Sequence, residues 1–252
     1  MKERLGEAGL TEFKFFSSAP EATHHTQAFV TGNANFIVVA FRGTEPAEPK
    51  DFLTDILFLQ EDSSEGEGLV HVGFNDALDE VWDEIAVHLG EARDHEQTVW
   101  FTGHSLGAAL AVIAADRYGK AAGVYTFGSP RTGDAEFAQG INDRLAGKSF
   151  RLVNNVDIVA ELPPAGFYRH VGVLKYFDRD HELEDAPSGL VLIEDQMKAQ
   201  LNRFSVIVGD WSDLEFNRVA VKDLEDHAPI HYAIHTWNHY IREAESEPGD
   251  GH

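Results

Sequence analysis

Gly103-His104-Ser105-Leu106-Gly107 sets a serine between two glycines, and its flanks decide what that serine can do. Before it, Gln97-Thr98-Val99-Trp100-Phe101 is largely apolar and β-prone, the pattern of a buried strand. After it, Ala108-Ala109-Leu110-Ala111-Val112-Ile113-Ala114-Ala115 reads as a helix. A strand, a sharp turn and a helix together lift a serine Oγ above a sheet, where it can serve as a nucleophile. A plainer reading is a tight strand–helix turn with an inert serine, since Gly107, Ala108 and Ala109 also favour close packing. Correct elements on both sides of the pentapeptide favour the nucleophile.

A serine hydroxyl is a weak nucleophile at neutral pH. It needs a histidine to take its proton and a carboxylate to orient that histidine. On scaffolds with this strand–turn–helix, the order along the chain is Ser, then Asp or Glu, then His. Asp157 is the acid we select. Phe150-Arg151-Leu152-Val153 reads as a strand, and Asp157 lies just past its carboxyl end, the edge where α/β sites gather. Asp134 falls at a helix start, where an aspartate more often caps, and Asp178 and Asp180 sit in a charged loop. His227 is the base we select, in a loop that enters the last helix through Pro229. His231, His235 and His239 follow at four-residue intervals, which could form a metal stripe. No carboxylate joins that spacing convincingly, so a polar helix surface near the active-site rim is the preferred reading. His170 competes as base but reads as a structural histidine in a strand, and His104 as one packed against the turn. Two donors must also meet the oxyanion of a tetrahedral intermediate. The N–H of Leu106 follows the nucleophile directly, and Thr44 follows the strand ending at Phe41-Arg42-Gly43. Arg42 is expected to tie this loop down by hydrogen bonds to neighbouring backbone.

The elements that must carry these groups alternate. Strands are expected at 26–32 and 36–41, then a helix from Val72 to Gly90 with Phe74, Leu78, Val81, Ile85 and Leu89 on one apolar face. Next come a strand at 97–102, a helix at 106–119, a strand at 123–127, a helix near 134–145 and a strand at 149–154. Helices near 190–204 and 229–243 follow. This alternation predicts an α/β fold, a mostly parallel central sheet with helices on both faces, in a single domain over 1–252.

Composition narrows the partners. Lys and Arg number 20 against 43 Asp and Glu, a net charge of −23. Such a surface repels nucleic acid and anionic headgroups, so neither is expected as a partner. There is no cysteine, hence no disulfide and no thiolate metal site. No apolar run approaches the roughly 18 residues of a membrane span. Met1-Lys2-Glu3-Arg4-Leu5-Gly6-Glu7 does not read as a secretory leader, so the expectation is a protein that stays inside the cell or one whose leader has been removed.

Several further segments fall in a fixed order: Val38-Val39-Ala40-Phe41-Arg42-Gly43-Thr44, Phe52-Leu53-Thr54-Asp55, and Val70-His71-Val72-Gly73-Phe74. Thr126-Phe127-Gly128-Ser129-Pro130-Arg131, Val153-Asn154-Asn155-Val156-Asp157, Leu162-Pro163-Pro164 and Asp226-His227 with Tyr232 come after the serine motif. Over roughly residues 26–240 the chain thus resembles the class 3 lipases, the fungal-type triacylglycerol lipase family of the α/β-hydrolases. The resemblance implies Ser105 as nucleophile, Asp157 and His227 as partners, and Thr44 with Leu106 as oxyanion donors. It implies hydrolysis of carboxylic esters through an acyl-enzyme, with no metal and no organic cofactor. The partner would be a small-molecule or lipid ester, with at most transient contact with a lipid interface. Feruloyl esterase and phospholipase A1 activity are alternatives on the same fold, and a hydrolase-like binding protein is a third.

Two departures stand out. Such lipases often begin with a long helix, whereas here fewer than about 30 residues precede the first expected strand. The lid-like segment 45–53, Glu45-Pro46-Ala47-Glu48-Pro49-Lys50-Asp51-Phe52-Leu53, has two prolines and four charges and makes a poor amphipathic helix. Weak interfacial activation and a preference for short or medium acyl chains are the expectations that follow.

Overall fold

The computed structural model describes residues 1–43, 60–63, 67–92, 96–163, 165–185 and 226–246. They fall into two compact units, Met1–Arg151 with Val159–Val173, and Leu152–Ile158 with Leu174–His252. Thr44, segment 45–53 and the helix expected near 190–204 lie outside the described residues.

In the first unit, α1 (Lys2–Glu7) buries nothing and leads to β1 (Glu12–Ser17). β1 corrects the expectation of a first strand at 26: it pairs antiparallel with β2 (Gln27–Gly32) and seats Phe16 in the core. Only Phe16 of β1 is buried, while Phe15 is exposed, so the strand lacks the continuous apolar signal of an interior one. β2 turns back antiparallel onto β3 (Phe36–Phe41). β4 (Gln60–Asp62) and β5 (Leu69–His71) form a small ribbon that feeds α2 (Val72–Ala92). Phe74, Ala77, Leu78, Val81, Ile85 and Leu89 of α2 are buried, the face that its 3.6-residue periodicity predicts.

β6 (Thr98–His104) runs parallel to β3, with Phe36 opposite Thr98 and Phe41 opposite Gly103. β7 (Gly123–Phe127) runs parallel to β6 on its other side. The unit's main sheet is therefore parallel at β3, β6 and β7 and antiparallel at the β1–β3 edge. Between β6 and β7 lies α3 (Leu106–Tyr118), buried from Gly107 to Asp116. Its alanines offer no bulk, so it packs closely against β3, β6, β7 and α2. α4 (Ala135–Leu145) starts at Asp134, whose carboxylate accepts from the Phe137 N–H at 2.9 Å, the capping role expected for it. β8 (Ser149–Asn154) begins in this unit and ends in the next.

The second unit is smaller. The chain past β8 donates from the Asn155 N–H to the carbonyl of Phe177, the last residue of β9 (Val173–Phe177). β9 pairs antiparallel with β10 (Leu183–Asp185). The unit closes with α5 (Pro229–Ser246), which starts at the proline expected in its first turn.

Candidate active site

Ser105 is the single residue between β6 and α3. Its φ of 57° is unusual for a residue with a side chain, and ψ is −127°. Such a conformation costs on the order of 1–3 kcal/mol and persists only where the surroundings fix it. Here they do. The Ser105 N–H donates to Phe127 at 3.0 Å and its carbonyl accepts from Ala108 at 3.0 Å. A Cβ on Gly103 would overlap the Gly107 carbonyl, and one on Gly107 would lie 2.8 Å from the Arg42 carbonyl. The pentapeptide's glycines are therefore imposed by backbone packed on backbone, which only hydrogen side chains allow.

The parallel register brings the end of β3 beside this turn. A Cβ on Gly43 would sit 2.6 Å from the His104 carbonyl and 3.3 Å from Ser105 Cβ. The loop leaving β3 thus passes against the serine, with position 44 next in sequence. Arg42 does hold this loop, though by a bond from Nη1 to the Gln27 side chain at 2.6 Å together with a backbone bond to Gln27. Leu106 opens α3, so its N–H has no acceptor within the helix and is oriented as a first-turn donor.

The second unit carries the other selected pair. His227 Nδ1 lies 2.8 Å and 3.0 Å from the two Asp157 oxygens. Both groups are buried, Asp157 at 1% exposure. An ionised carboxylate only accepts hydrogen bonds, so Nδ1 carries the hydrogen and Nε2 is left as the basic nitrogen. Asp157 is held in turn. Tyr232, one turn into α5, donates its hydroxyl to Asp157 Oδ2 at 2.6 Å and accepts from the Asn154 N–H at 3.0 Å. Asn154 Nδ2 reaches the carbonyl of Asp226 at 2.9 Å, and Asn155 Nδ2 reaches its carboxylate at 3.0 Å. One network thereby fixes the strand end carrying the acid and the loop carrying the histidine. Tyr232 had no assigned role in the sequence, and Asn154, Asn155 and Asp226 stood there only as flanking positions. A tyrosine five residues past the histidine, on a buried helix face, was the available signal: its hydroxyl must find a partner.

The competing histidines are placed elsewhere. His170 lies outside any strand, against the expectation, just after Arg169 makes an isolated bridge with Gly133. Burial holds its pKa well below the ordinary histidine value, and Arg151 and Arg131 push it the same way, while a hydrogen bond with the Ala160 backbone opposes them. The causes of the shift include no carboxylate, and burial with the two arginines outweighs the Ala160 hydrogen bond, so the imidazolium is disfavoured there. His104 ends β6, half-buried beside the turn. The stripe on α5 diverges: His235 is buried and stacks on His181 with ring centroids 3.9 Å apart, while His239 pairs with Glu243 at 3.4 Å. Among the described residues no cluster of three or more His, Asp or Glu is arranged to hold a metal. Asp178 accepts from the N–H groups of Asp180 and Glu182 and so caps a turn.

Sheet, strained serine turn and following helix define the α/β-hydrolase fold, and known proteins agree. The family model described as "Lipase (class 3)" matches residues 38–167, and the chain belongs to that family. Secreted mono- and diacylglycerol lipase 1 of Fusarium solani is 36% identical over 150 residues, 56% of this chain and 44% of that one. The Rhizomucor miehei lipase in its propeptide complex superposes with a TM-score of 0.59 at 28% identity, covering 69% of this chain and 59% of that one. A triacylglycerol lipase structure, reported to have a serine protease triad as its catalytic centre, superposes with a TM-score of 0.60 at 26% identity over 73% and 77% of the two chains. The chain spans less than half the length of the Fusarium relative it matches. The matched stretch includes Ser105 and Asp157 but stops short of His227, which contacts Asp157.

Proposed function

We propose that this protein is a serine carboxylic-ester hydrolase acting on acylglycerols or similar neutral esters, with Ser105, His227 and Asp157 as its triad. The observation that carries this reading is the buried, two-point contact between Asp157 and His227 in a chain whose family serine sits on a strained strand–helix turn. His227 Nε2 takes the hydroxyl proton as Ser105 Oγ attacks the ester carbonyl. Asp157 keeps the hydrogen on Nδ1 and stabilises the imidazolium that forms. The N–H of Leu106 and the donors of Thr44 receive the developing oxyanion. The imidazolium then protonates the departing alcohol, and water, deprotonated by the same nitrogen, releases the acid from the acyl-enzyme.

Its class 3 relatives include a mono- and diacylglycerol lipase, which makes partial glycerides the first substrates to try. Hydrolysis of mono- and dioctanoylglycerol, alongside p-nitrophenyl esters of rising chain length and methyl ferulate, tests the proposal. The expected result is turnover of the glycerides, lost by about 10⁴-fold or more in Ser105→Ala. Undiminished hydrolysis by Ser105→Ala, or turnover of methyl ferulate alone, would overturn it.

A further inference from the structure

Among the described residues, nothing covers the apolar outward face of α5. Ile230, Ile234, Trp237 and Tyr240 are 60%, 46%, 61% and 60% exposed, at intervals of four, three and three residues. At 100° per residue they span a stripe about 120° wide on one side of the helix. The opposite side, with Tyr232 and His235, faces the interior. Trp237 and Tyr240 rings meet at 5.8 Å, and a groove between Ile234, Trp237 and the turn at Asp180–Glu182 extends the patch.

Charge does not oppose burial of this face. Forty-three acids are spread over 252 residues, and none falls between His227 and Arg242, while Glu243 and Glu245 come in the last turn of the helix. The nearest carboxylates on the facing turn are Asp180 and Glu182, and Glu182 is paired with Arg242. Bringing carboxylates to a hydrocarbon boundary strips them of water, so an exposed apolar face without acids resists such a boundary less than a face that carries them. A second copy would bring two chains of −23 together, and an anionic membrane would repel the chain outright. An uncharged lipid surface has neither objection. Tryptophan and tyrosine, apolar with one polar atom, suit the boundary between acyl chains and water.

We infer that α5 is a fixed lipid-docking helix, which seats Ile230, Ile234, Trp237 and Tyr240 in an uncharged lipid surface. The same helix presents Tyr232 and follows directly on His227, so docking holds the proposed base at the interface where its ester substrates dissolve. This rests on the proposed ester hydrolysis for its purpose, but its binding step stands separately. It also asks nothing of segment 45–53.

The test uses the full chain carrying Ser105→Ala, so that no product forms, with sedimentation on phosphatidylcholine vesicles. Adding Ile234→Ser and Trp237→Ser is expected to lower the partition coefficient by about tenfold or more, and mixing phosphatidylserine into the vesicles to lower it further. Bromine-labelled phosphatidylcholine should quench the emission lost in Trp237→Phe. With Ser105 intact, the double variant should hydrolyse soluble p-nitrophenyl acetate like the parent and melt at the same temperature. Equal partition of parent and double variant would overturn the inference. So would concentration-dependent self-association that the substitutions abolish, which marks a second copy as the occupant. Trp237 emission already blue-shifted and unquenched by lipid would overturn it as well, assigning the face to the chain's own residues. Vesicle binding without ester turnover would sink the catalytic proposal alone, and turnover without binding would sink only this one.

Discussion

In the unit that carries Ser105, the turn is held by backbone against backbone: Gly103 on Gly107, Gly107 on Arg42, Gly43 on His104. In the unit that carries Asp157 and His227, position is held by side-chain hydrogen bonds running from Asn154 and Asn155 through Tyr232 and Asp226. The first scheme tolerates no added atom, because close-packed backbone has nowhere to move. The second tolerates loss in steps, because each bond in a network is one of several. Steric requirements should thus appear as all-or-none effects near the serine and electrostatic ones as graded effects near the histidine.

The largest break of this contrast is Gly107→Ala. A methyl group there enters space occupied by the Phe41 and Arg42 backbone, and we expect a loss of about 3 kcal/mol or more, read as insoluble protein or a collapsed melting temperature. A variant that folds and labels normally would show that the glycines are not imposed by packing.

Tyr232→Phe comes next. It removes one bond to Asp157 and leaves the Asn154 N–H without its acceptor. A stability loss of about 1–3 kcal/mol is expected, with kcat down roughly tenfold and KM little changed. An unaltered kcat at the same stability loss would make Tyr232 structural only.

The smallest effect concerns pH. Burial lowers the pKa of His235, and His181 and His231 beside it act in the same direction. A histidine depressed in the folded state is protonated first in the unfolded chain, so stability falls as pH drops below about 6.5. His235→Phe should flatten the fall in melting temperature between pH 7 and pH 5. His170, also depressed, would retain part of the slope. A variant whose slope equals the parent's would show that His235 adds nothing to acid sensitivity.

The same contrast explains what the sequence disclosed. The serine turn was legible because its requirements are contiguous: β6, Gly103, Ser105, Gly107 and α3 follow one another, and steric demands fall on fixed positions. Asp157 and His227, 70 residues apart, were selected from element boundaries, the strand end at 154 and the helix start at Pro229. The Tyr232 and Asn154 supports were not, since a hydrogen bond between distant residues leaves no periodic trace. β1 was missed because an edge strand with Phe16 as its one buried residue has no strong alternation. His170 was read as a strand residue from flanking Tyr168 and Val171, yet those two are buried core side chains on a loop. The exposed stripe of α5 sat unnoticed within a helix that was correctly expected, because periodicity reports an apolar face but not whether anything covers it.

The most direct test is covalent labelling of the full chain with a fluorophosphonate, with the modified residue read by tandem mass spectrometry in the parent, Ser105→Ala and His227→Gln. The expected result is one phosphonyl group on Ser105, none in Ser105→Ala, and labelling slowed by about a hundredfold or more in His227→Gln. Labelling of Ser105 at the parent rate in His227→Gln, or ester hydrolysis by a protein that never takes the label there, would contradict the account.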